Sequence, residues 1–323
     1  MEQPAAVSVV TADPPRAGAG FFKGHGLGND YLVFPFGDRW TASHQAVRAV
    51  CDRWWGLGAD GIVLHSSPDE RPWRLRMFNP DGSEFERSGN GLRVFAACAA
   101  SRGWIGHEGF AVEVGGDRIR MRVEEELGGG LYDVSVEMGR ASLDPADAGL
   151  APGWKERPLT HPAEGTLDCT LVSVGNPHCV VFAADLSEAA LSRLGPFLTA
   201  HDAFPAGVNV QLVRPVSRGS IEIAIWERGV GRTLASGTSS CAAAIAAAAR
   251  GVVDYGDVEV HMEGGTLQVS VSPELEVVLR GPVQEVASGR LSDGFLDALR
   301  SAALEPRSPG LPSMGSRSSG NNT

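Results

Sequence analysis

The chain has 323 residues, of which 43% are hydrophobic and 21% charged, and 28 Lys+Arg against 39 Asp+Glu leave a net charge of -11. That length suits two domains, each large enough to bury its own core. No apolar run reaches the ~18–20 residues of a membrane span and no broad basic field exists, so membranes and nucleic acid are set aside and a small molecule is the expected partner.

In chain order, residues 1–20 contain Asp13, Pro14 and Pro15 and no sustained apolar stretch. They read as a disordered arm rather than a secretory signal. Period-two and β-branched patterning then predicts strands at 31–34, 61–64, 73–78, 110–114, 119–123 and 134–138, with helices at 43–54 and 91–101. Further on, strands are expected at 172–174, 180–182, 208–213, 221–226, 258–260, 266–271 and 276–279, and helices at 186–194 and 239–250. The last helix holds seven alanines, a favourable helical run. Strands far outnumber helices, and two helices are apolar all round. An α+β fold of two antiparallel barrel-like sheets, each wrapped on a central helix, accounts for both features. Residues 305–323 lack the apolar content to fold and read as a disordered tail. Five cysteines, at 51, 98, 169, 179 and 241, form an odd number without C-x-x-C spacing. This argues against a disulfide framework and a structural zinc site and favours a cytoplasmic location.

The two halves echo each other. Phe78-Asn79 precedes Ser88-Gly-Asn-Gly-Leu-Arg by ten residues, as Trp226-Glu227 precedes Ser236-Gly-Thr-Ser-Ser-Cys, an offset of 148 between the serines. Gly28-Asn29 matches Gly175-Asn176 at 147, and Gly58-Ala59-Asp60-Gly61 matches Gly207-Val208-Asn209-Val210 at 149. Three features in one order at nearly one offset indicate a duplicated unit.

In each copy a Ser-Gly stands at the start of a buried helix. Unpaired N–H groups and the positive end of the helix dipole make such a start an acceptor site for a carboxylate. Gly89 and Gly237 let the backbone approach a ligand, with Ser88 and Ser236 on either side of the captured carbon. The ordinary alternative is that both serines are simple N-caps. His25, His178 and His261 lack metal-ligand spacing, and Gly24-His-Gly-Leu-Gly is not a dinucleotide fingerprint, so neither metal nor cofactor is expected.

Seven segments, taken together, resemble the diaminopimelate epimerase family in order and spacing. They are Phe22-Lys-Gly-His-Gly-Leu-Gly-Asn-Asp, Gly58-Ala-Asp-Gly, Phe78-Asn-Pro-Asp-Gly-Ser-Glu, Gly89-Asn-Gly-Leu-Arg, Gly175-Asn-Pro-His-Cys-Val, Val208-Asn-Val and Glu227-Arg-Gly-Val-Gly-Arg-Thr-Leu-Ala-Ser-Gly-Thr. The resemblance implies cofactor-independent inversion at the α-carbon of diaminopimelate by two bases, on the route to lysine and peptidoglycan. It implies substrate binding by Asn29, Asn79, Asn176, Asn209, Glu227 and Arg228, and a grip on the reacting carboxylate by the amides of Gly89-Asn90 and Gly237-Thr238. Arg228 is then expected to be largely buried beside Glu227. It also implies a first domain of residues 21–125 plus 281–304 and a second of 126–280, with a homodimer left open. Simpler roles exist for these residues: an asparagine after glycine is often a turn residue, and Glu227 with Arg228 would also suit a surface pair.

The departures fall at the chemistry. Ser88 and Ser236 stand where the family has its two catalytic cysteines, and a hydroxyl is a far weaker acid than a thiol near pKa ~8.5. Gly207 stands where arginine is common and Arg232 where glutamate is usual. Cys241 and Cys98, deep in the two helices, read as core residues, as does Cys179 in its strand. A non-catalytic amino-acid-binding protein and an isomerase or lyase acting on another substrate remain the alternative functions.

Overall fold

The computed structural model describes residues 20–301 apart from 38, 87, 155 and 156, so the expected arm, save Gly20, and the expected tail lie outside the described residues. The first half contains β1 (Gly20–Gly26), β2 (Asn29–Pro35), α1 (His44–Cys51), β3 (Gly61–His65), β4 (Trp73–Phe78), β5 (Glu84–Phe85), α2 (Gly89–Ser101), β6 (Phe110–Val114), β7 (Asp117–Gly128) and β8 (Leu131–Arg140). The second contains β9 (Thr160–His161), β10 (Gly165–Thr166), β11 (Cys169–Ser173), β12 (Pro177–Phe182), α3 (Glu188–Thr199), β13 (Asn209–Ser217), β14 (Ser220–Glu227), β15 (Gly231–Thr233), α4 (Gly237–Ala249), β16 (Gly256–Met262) and β17 (Gly265–Val271). Two closing elements follow, β18 (Glu276–Arg290) and α5 (Asp293–Arg300).

Strands β1-β2-β3-β4-β6-β7-β8-β18 form a path that closes on itself through the β1–β18 pairing, giving an eight-stranded ring. From β18 the same sheet continues through β17-β16-β14-β13-β12-β11. A bridge between Ser142, just past β8, and Ser173 in β11 closes this second curl. The α+β fold with barrel-like sheets follows the expectation from strand excess. The expected domain limits at 125 and 281 fall inside β7 and β18; β7 and β8 both lie in the first ring, the chain leaves it after β8, and β18 is the strand that the two rings share.

The duplication holds register for register. Parallel pair Trp73–Val112 of β4 and β6 corresponds to Ile221–Val260 of β14 and β16, and Ile62–Phe78 corresponds to Val210–Trp226, every position displaced by 148 residues. Helix α2 packs inside the first ring against β1, β2, β3, β7, β8 and β18, and α4 inside the second. Helix α4 fills its ring mostly with alanine, whereas α2 combines alanine with the buried Leu92, Arg93, Val94 and Phe95. Ala96, Ala97 and Ala99 in α2 and Ala242, Ala243, Ala244, Ala246, Ala247 and Ala248 in α4 are all buried. At ~25 cal/mol per Å² such apolar contacts on every face are what hold the helices at fixed depth.

Three local differences from the sequence reading have physical causes. Helix α1 stops at Cys51 rather than 54 because the Asp52 carboxylate accepts the N–H groups of Trp54 (2.7 Å) and Trp55 (2.8 Å) in a side-chain turn. Helix α3 runs to Thr199, past Pro196, whose lost donor removes only one intrahelical bond near the end. Strand β1, with three glycines, has too little side-chain pattern to be seen in the sequence, yet it is the strand that closes the first ring.

Candidate active site

A cavity of about 670 Å³ opens between the two units. Its lining brings together Ser88, Gly89 and Asn90 from the first unit with Ser236, Gly237 and Thr238 from the second. Each serine is the N-cap of its helix. Ser88 Oγ accepts Gly91 N–H at 3.1 Å, and Ser236 Oγ accepts Ser239 N–H at 3.4 Å. Both readings of the serines, capping residue and cavity residue, therefore hold at once. Among the described residues, the N–H groups of Gly89, Asn90, Gly237 and Thr238 meet no acceptor. Two helix N-termini thus present free donors and the positive ends of two dipoles to one space. The backbone comes so close because Gly89 and Gly237 both press on Leu279 in β18; a Cβ on either would stand 2.9 or 2.8 Å from its Cδ2.

Asn29, Asn79, Asn176 and Glu227 also line the cavity. Their amides are held by directed hydrogen bonds. The fully buried Arg93 guanidinium donates to Asn90 Oδ1 (3.1 Å), and Asn90 Nδ2 donates to Asn29 Oδ1 (2.8 Å) and to the Asn29 carbonyl (2.7 Å). Asn29 Nδ2 then donates to Asp60 (3.0 Å). In the second unit Gln211 Nε2 donates to His178 Nδ1 (3.0 Å), which makes Nε2 the protonated ring nitrogen and gives its proton to Asn176 Oδ1 (2.9 Å). Burial holds His178 neutral, down to about 3. Since guanidinium and this imidazole tautomer can only donate at those positions, the asparagine NH₂ groups are the ends turned toward other acceptors.

Asn209 and Arg228 are not part of the lining. Asn209 Nδ2 donates to the Pro177 carbonyl (3.0 Å), and its Oδ1 accepts Arg228 N–H (3.0 Å), so its amide braces the loop behind the cavity. Arg228 is exposed, contrary to the expectation that it is buried beside Glu227. Its side chain lies over Gly207, where φ is +73° and a Cβ would meet Cδ at 2.9 Å, and Nη1 donates to the Ala206 carbonyl at 2.9 Å. The glycine at 207 thus leaves the arginine free to fold outward. Arg232 also faces away, paired with Glu263.

Sequence reasoning assigned no role to Tyr31 or Asp60, although both line the cavity. Burial pushes the Tyr31 phenol up to about 12, with the nearby Ser88 hydroxyl pulling the other way. Asp60 is committed to neighbours, to Arg53 at 2.6 Å through Oδ1 and to Asn29 and the Asp30 N–H through Oδ2. Glu227 is different. Burial raises its carboxyl above the ordinary range, with the nearby Ser236 hydroxyl pulling the other way. The cysteines take no part: none lines the cavity, and burial pushes Cys98 up to about 12.

Residues 21–143 and 170–286 match the family model described as diaminopimelate epimerase. The chain is 40% identical over 275 residues to the diaminopimelate epimerase of Desulforudis audaxviator, covering 84% of this chain and 98% of that protein. It is 35% identical over 276 residues to that of Bacillus subtilis, covering 83% and 97%. Among solved structures, a predicted epimerase from Pseudomonas aeruginosa superposes with a TM-score of 0.61 at 19% identity, over 84% of this chain and 99% of that one. A hydroxyproline epimerase from Agrobacterium vitis with bound trans-4-hydroxy-L-proline gives 0.61 at 14%, over 84% and 92%. These last two share the fold. With its two-ring architecture and nearly full-length similarity, the chain belongs to the diaminopimelate epimerase family of isomerases.

Proposed function

We propose that the chain binds an amino acid of the diaminopimelate type in this cavity and moves the proton on its α-carbon, without a cofactor. The observation that carries this reading is the convergence of two helix N-termini, each with free N–H groups and a hydroxyl, on one space. A carboxylate seated on those donors is held between Ser88 and Ser236, with the Asn176 NH₂ and the second N–H of Asn29 and Asn79, whose first N–H goes to Asp60 and Ser83, offered to the rest of the ligand. Charge developing on the carboxylate as the α-proton leaves is met by the same donors, which need no rearrangement. The two hydroxyls in place of two thiols slow proton removal, because a serine alkoxide is scarcely available near neutral pH. The same substitution supports a second reading, a non-catalytic amino-acid-binding homologue.

Calorimetry with LL- and meso-diaminopimelate, joined to α-proton exchange in D₂O, tests the proposal. Binding is expected from the wild type. Ser88→Cys with Ser236→Cys is expected to raise exchange by orders of magnitude, since each thiol then sits at a helix N-terminus that favours its thiolate. Absence of binding refutes the proposal. Binding by the double variant without any gain in exchange favours the binding protein.

A further inference from the structure

Beside the polar groups around the two helix N-termini, the cavity lining holds an apolar set of Leu27, Pro80, Phe85, Val230, Leu234 and Ala235. Val230 is 71% exposed, Leu234 is 48% exposed and Leu27 is half-buried, so apolar surface stands open to solvent in a site shaped for a small ligand. Leu27 comes from the first unit and Leu234 from the second, and both rest on the turn between β16 and β17. There Gly264 N–H donates to the Leu234 carbonyl (2.8 Å), and a Cβ on Gly265 would stand 2.7 Å from Leu27 Cδ2.

The backbone at Leu27 breaks a local rule. Strands β1 and β2 are joined by Leu27-Gly28, with φ of +53° and +88°, in a two-residue hairpin loop whose first position favours asparagine, aspartate or glycine. A leucine held in the left-handed region is strained, and such strain gathers where function requires the side chain. The other described non-glycine residue with positive φ, Leu275 at +65°, offers a comparison. It stands in the turn between β17 and β18, outside the lining, where its carbonyl accepts the Ala141 N–H (2.9 Å). Leu27 instead contributes to the cavity wall, two residues before Asn29 of the polar set.

On the reading that a ligand carboxylate sits at the helix N-termini, we infer that Leu27 is a specificity-determining residue. With Leu234 it packs against the methylene run that joins the ligand's reacting end to its far polar end, and so selects a linker of the length found in diaminopimelate. A shorter linker leaves part of the two leucines in water, at about 4-fold in affinity for each methylene no longer buried. A longer one, with its two ends tied to fixed donors, has to bulge against Leu27. That side chain cannot retreat, because Gly265 lies against its Cδ2 and the hairpin fixes its backbone.

Calorimetry with the full chain compares the LL isomers of diaminoadipate, diaminopimelate and diaminosuberate, whose linkers have two, three and four methylenes. The wild type is expected to bind diaminopimelate about 4-fold or more tighter than the shorter ligand and about 10-fold or more tighter than the longer one. Leu27→Asn is expected to weaken diaminopimelate about 10-fold and to bring the longer ligand within about 3-fold of it. Its melting temperature should stay within ~3 °C of the wild type, because relief of the left-handed leucine offsets the lost apolar contact. Leu27→Gly, which also suits the turn, should behave in the same way and serves if the asparagine variant does not fold. Leu27→Met keeps an apolar side chain of similar volume and should keep the wild-type order. Equal wild-type affinities for the three ligands overturn the inference, as does a wild-type order of preference retained in Leu27→Asn or Leu27→Gly. A fall in melting temperature with that order intact marks Leu27 as a packing residue and overturns it as well. Failure of the wild type to bind any of the three instead overturns the proposed function on which the inference rests.

Discussion

Leu279 is the point where both helix N-termini meet the strand that joins the rings, and it sets a measurable constraint. An alanine at Gly237 would place its Cβ 2.8 Å from Leu279 Cδ2, and no other atom stands within 4 Å of that position. Carbon atoms pack at ~3.5–4.0 Å, so the overlap is about 0.7 Å or more. Leu279 is fully buried and has little room to give. Overpacking of this kind costs ~1–3 kcal/mol, against which alanine recovers ~0.5–1 kcal/mol of helix propensity over glycine. Gly237→Ala should therefore destabilise by roughly 1 kcal/mol. With Leu279→Ala the obstacle is gone, and that change alone costs ~2–5 kcal/mol through lost contact and a cavity. In that background Gly237→Ala should turn stabilising by about 1 kcal/mol, since its methyl enters the vacated space and the propensity gain remains. The coupling is then about 2 kcal/mol, within the ~0.5–3 kcal/mol found for contacting residues. Urea unfolding of the four proteins of this cycle measures it. If Gly237→Ala has the same effect in both backgrounds to within ~0.5 kcal/mol, Leu279 does not limit the approach of the helix and the packing argument fails.

Other consequences concern pH and the buried polar chains. Burial lowers His65 to about 4 and His178 to about 3, below an unfolded value near 6.5, so the unfolded chain takes up protons first and stability falls as pH drops below about 6.5. Between pH ~6 and ~4 the pair should remove about 2.7 kcal/mol per pH unit, and urea midpoints at stepped pH should show His65→Asn cutting that slope roughly in half. Asp30, held low chiefly by Arg53 and Lys23 against the effect of its burial, contributes stability that is lost only below about pH 4, a separate window. Among the described residues Arg93 is buried with no carboxylate in ion-pair contact, and its bonds go to Asn90 Oδ1 and the Pro282 carbonyl. Arg93→Met should shift the melting temperature little, because relief of a buried charge offsets the lost bonds, yet calorimetry should show diaminopimelate binding weakened about 10-fold as Asn90 and Asn29 lose their fixed orientation.

Much of the fold was legible because barrel strands alternate or run β-branched, and because two copies of one unit repeat at a constant offset. Strands such as Trp73–Phe78 and Ile221–Trp226 carry both signals. The site serines were legible as well, since a Ser-Gly before an alanine-rich helix is local information. Contacts across the fold were not. Tyr31 sits in a run, Tyr-Leu-Val-Phe, that reads only as a strand, and its hydroxyl reaches Ser88 because β2 passes beside α2, an arrangement set by the parallel pairing of β2 and β3. A signal did exist: the repeat aligns Tyr31 with His178, so both units place a polar ring at one otherwise apolar strand position. The outward course of Arg228 had no such signal, as it depends on the backbone at Gly207 reaching φ +73° beneath its stem.

The unequal pairs Asn79–Glu227 and Tyr31–His178 occupy equivalent places in the two units, so the duplication itself supplies a final test. Asn79 directly follows β4 and Glu227 is the last residue of β14, and both line the cavity. Asn79→Glu places a carboxylate at the position in the first unit that matches Glu227 in the second. The added charge lies in a cavity that already holds Asp60 and Glu227, so its own pKa should rise and binding of a dianionic ligand should weaken. The informative quantity is thus the ratio of exchange rates for the two isomers, which is insensitive to overall affinity. With a carboxylate at both equivalent positions that ratio should move toward one. A ratio unchanged from wild type, in a variant that still binds, means that the Ser88 face does not reach the α-carbon and that the two halves, equivalent in backbone, are not equivalent in the site.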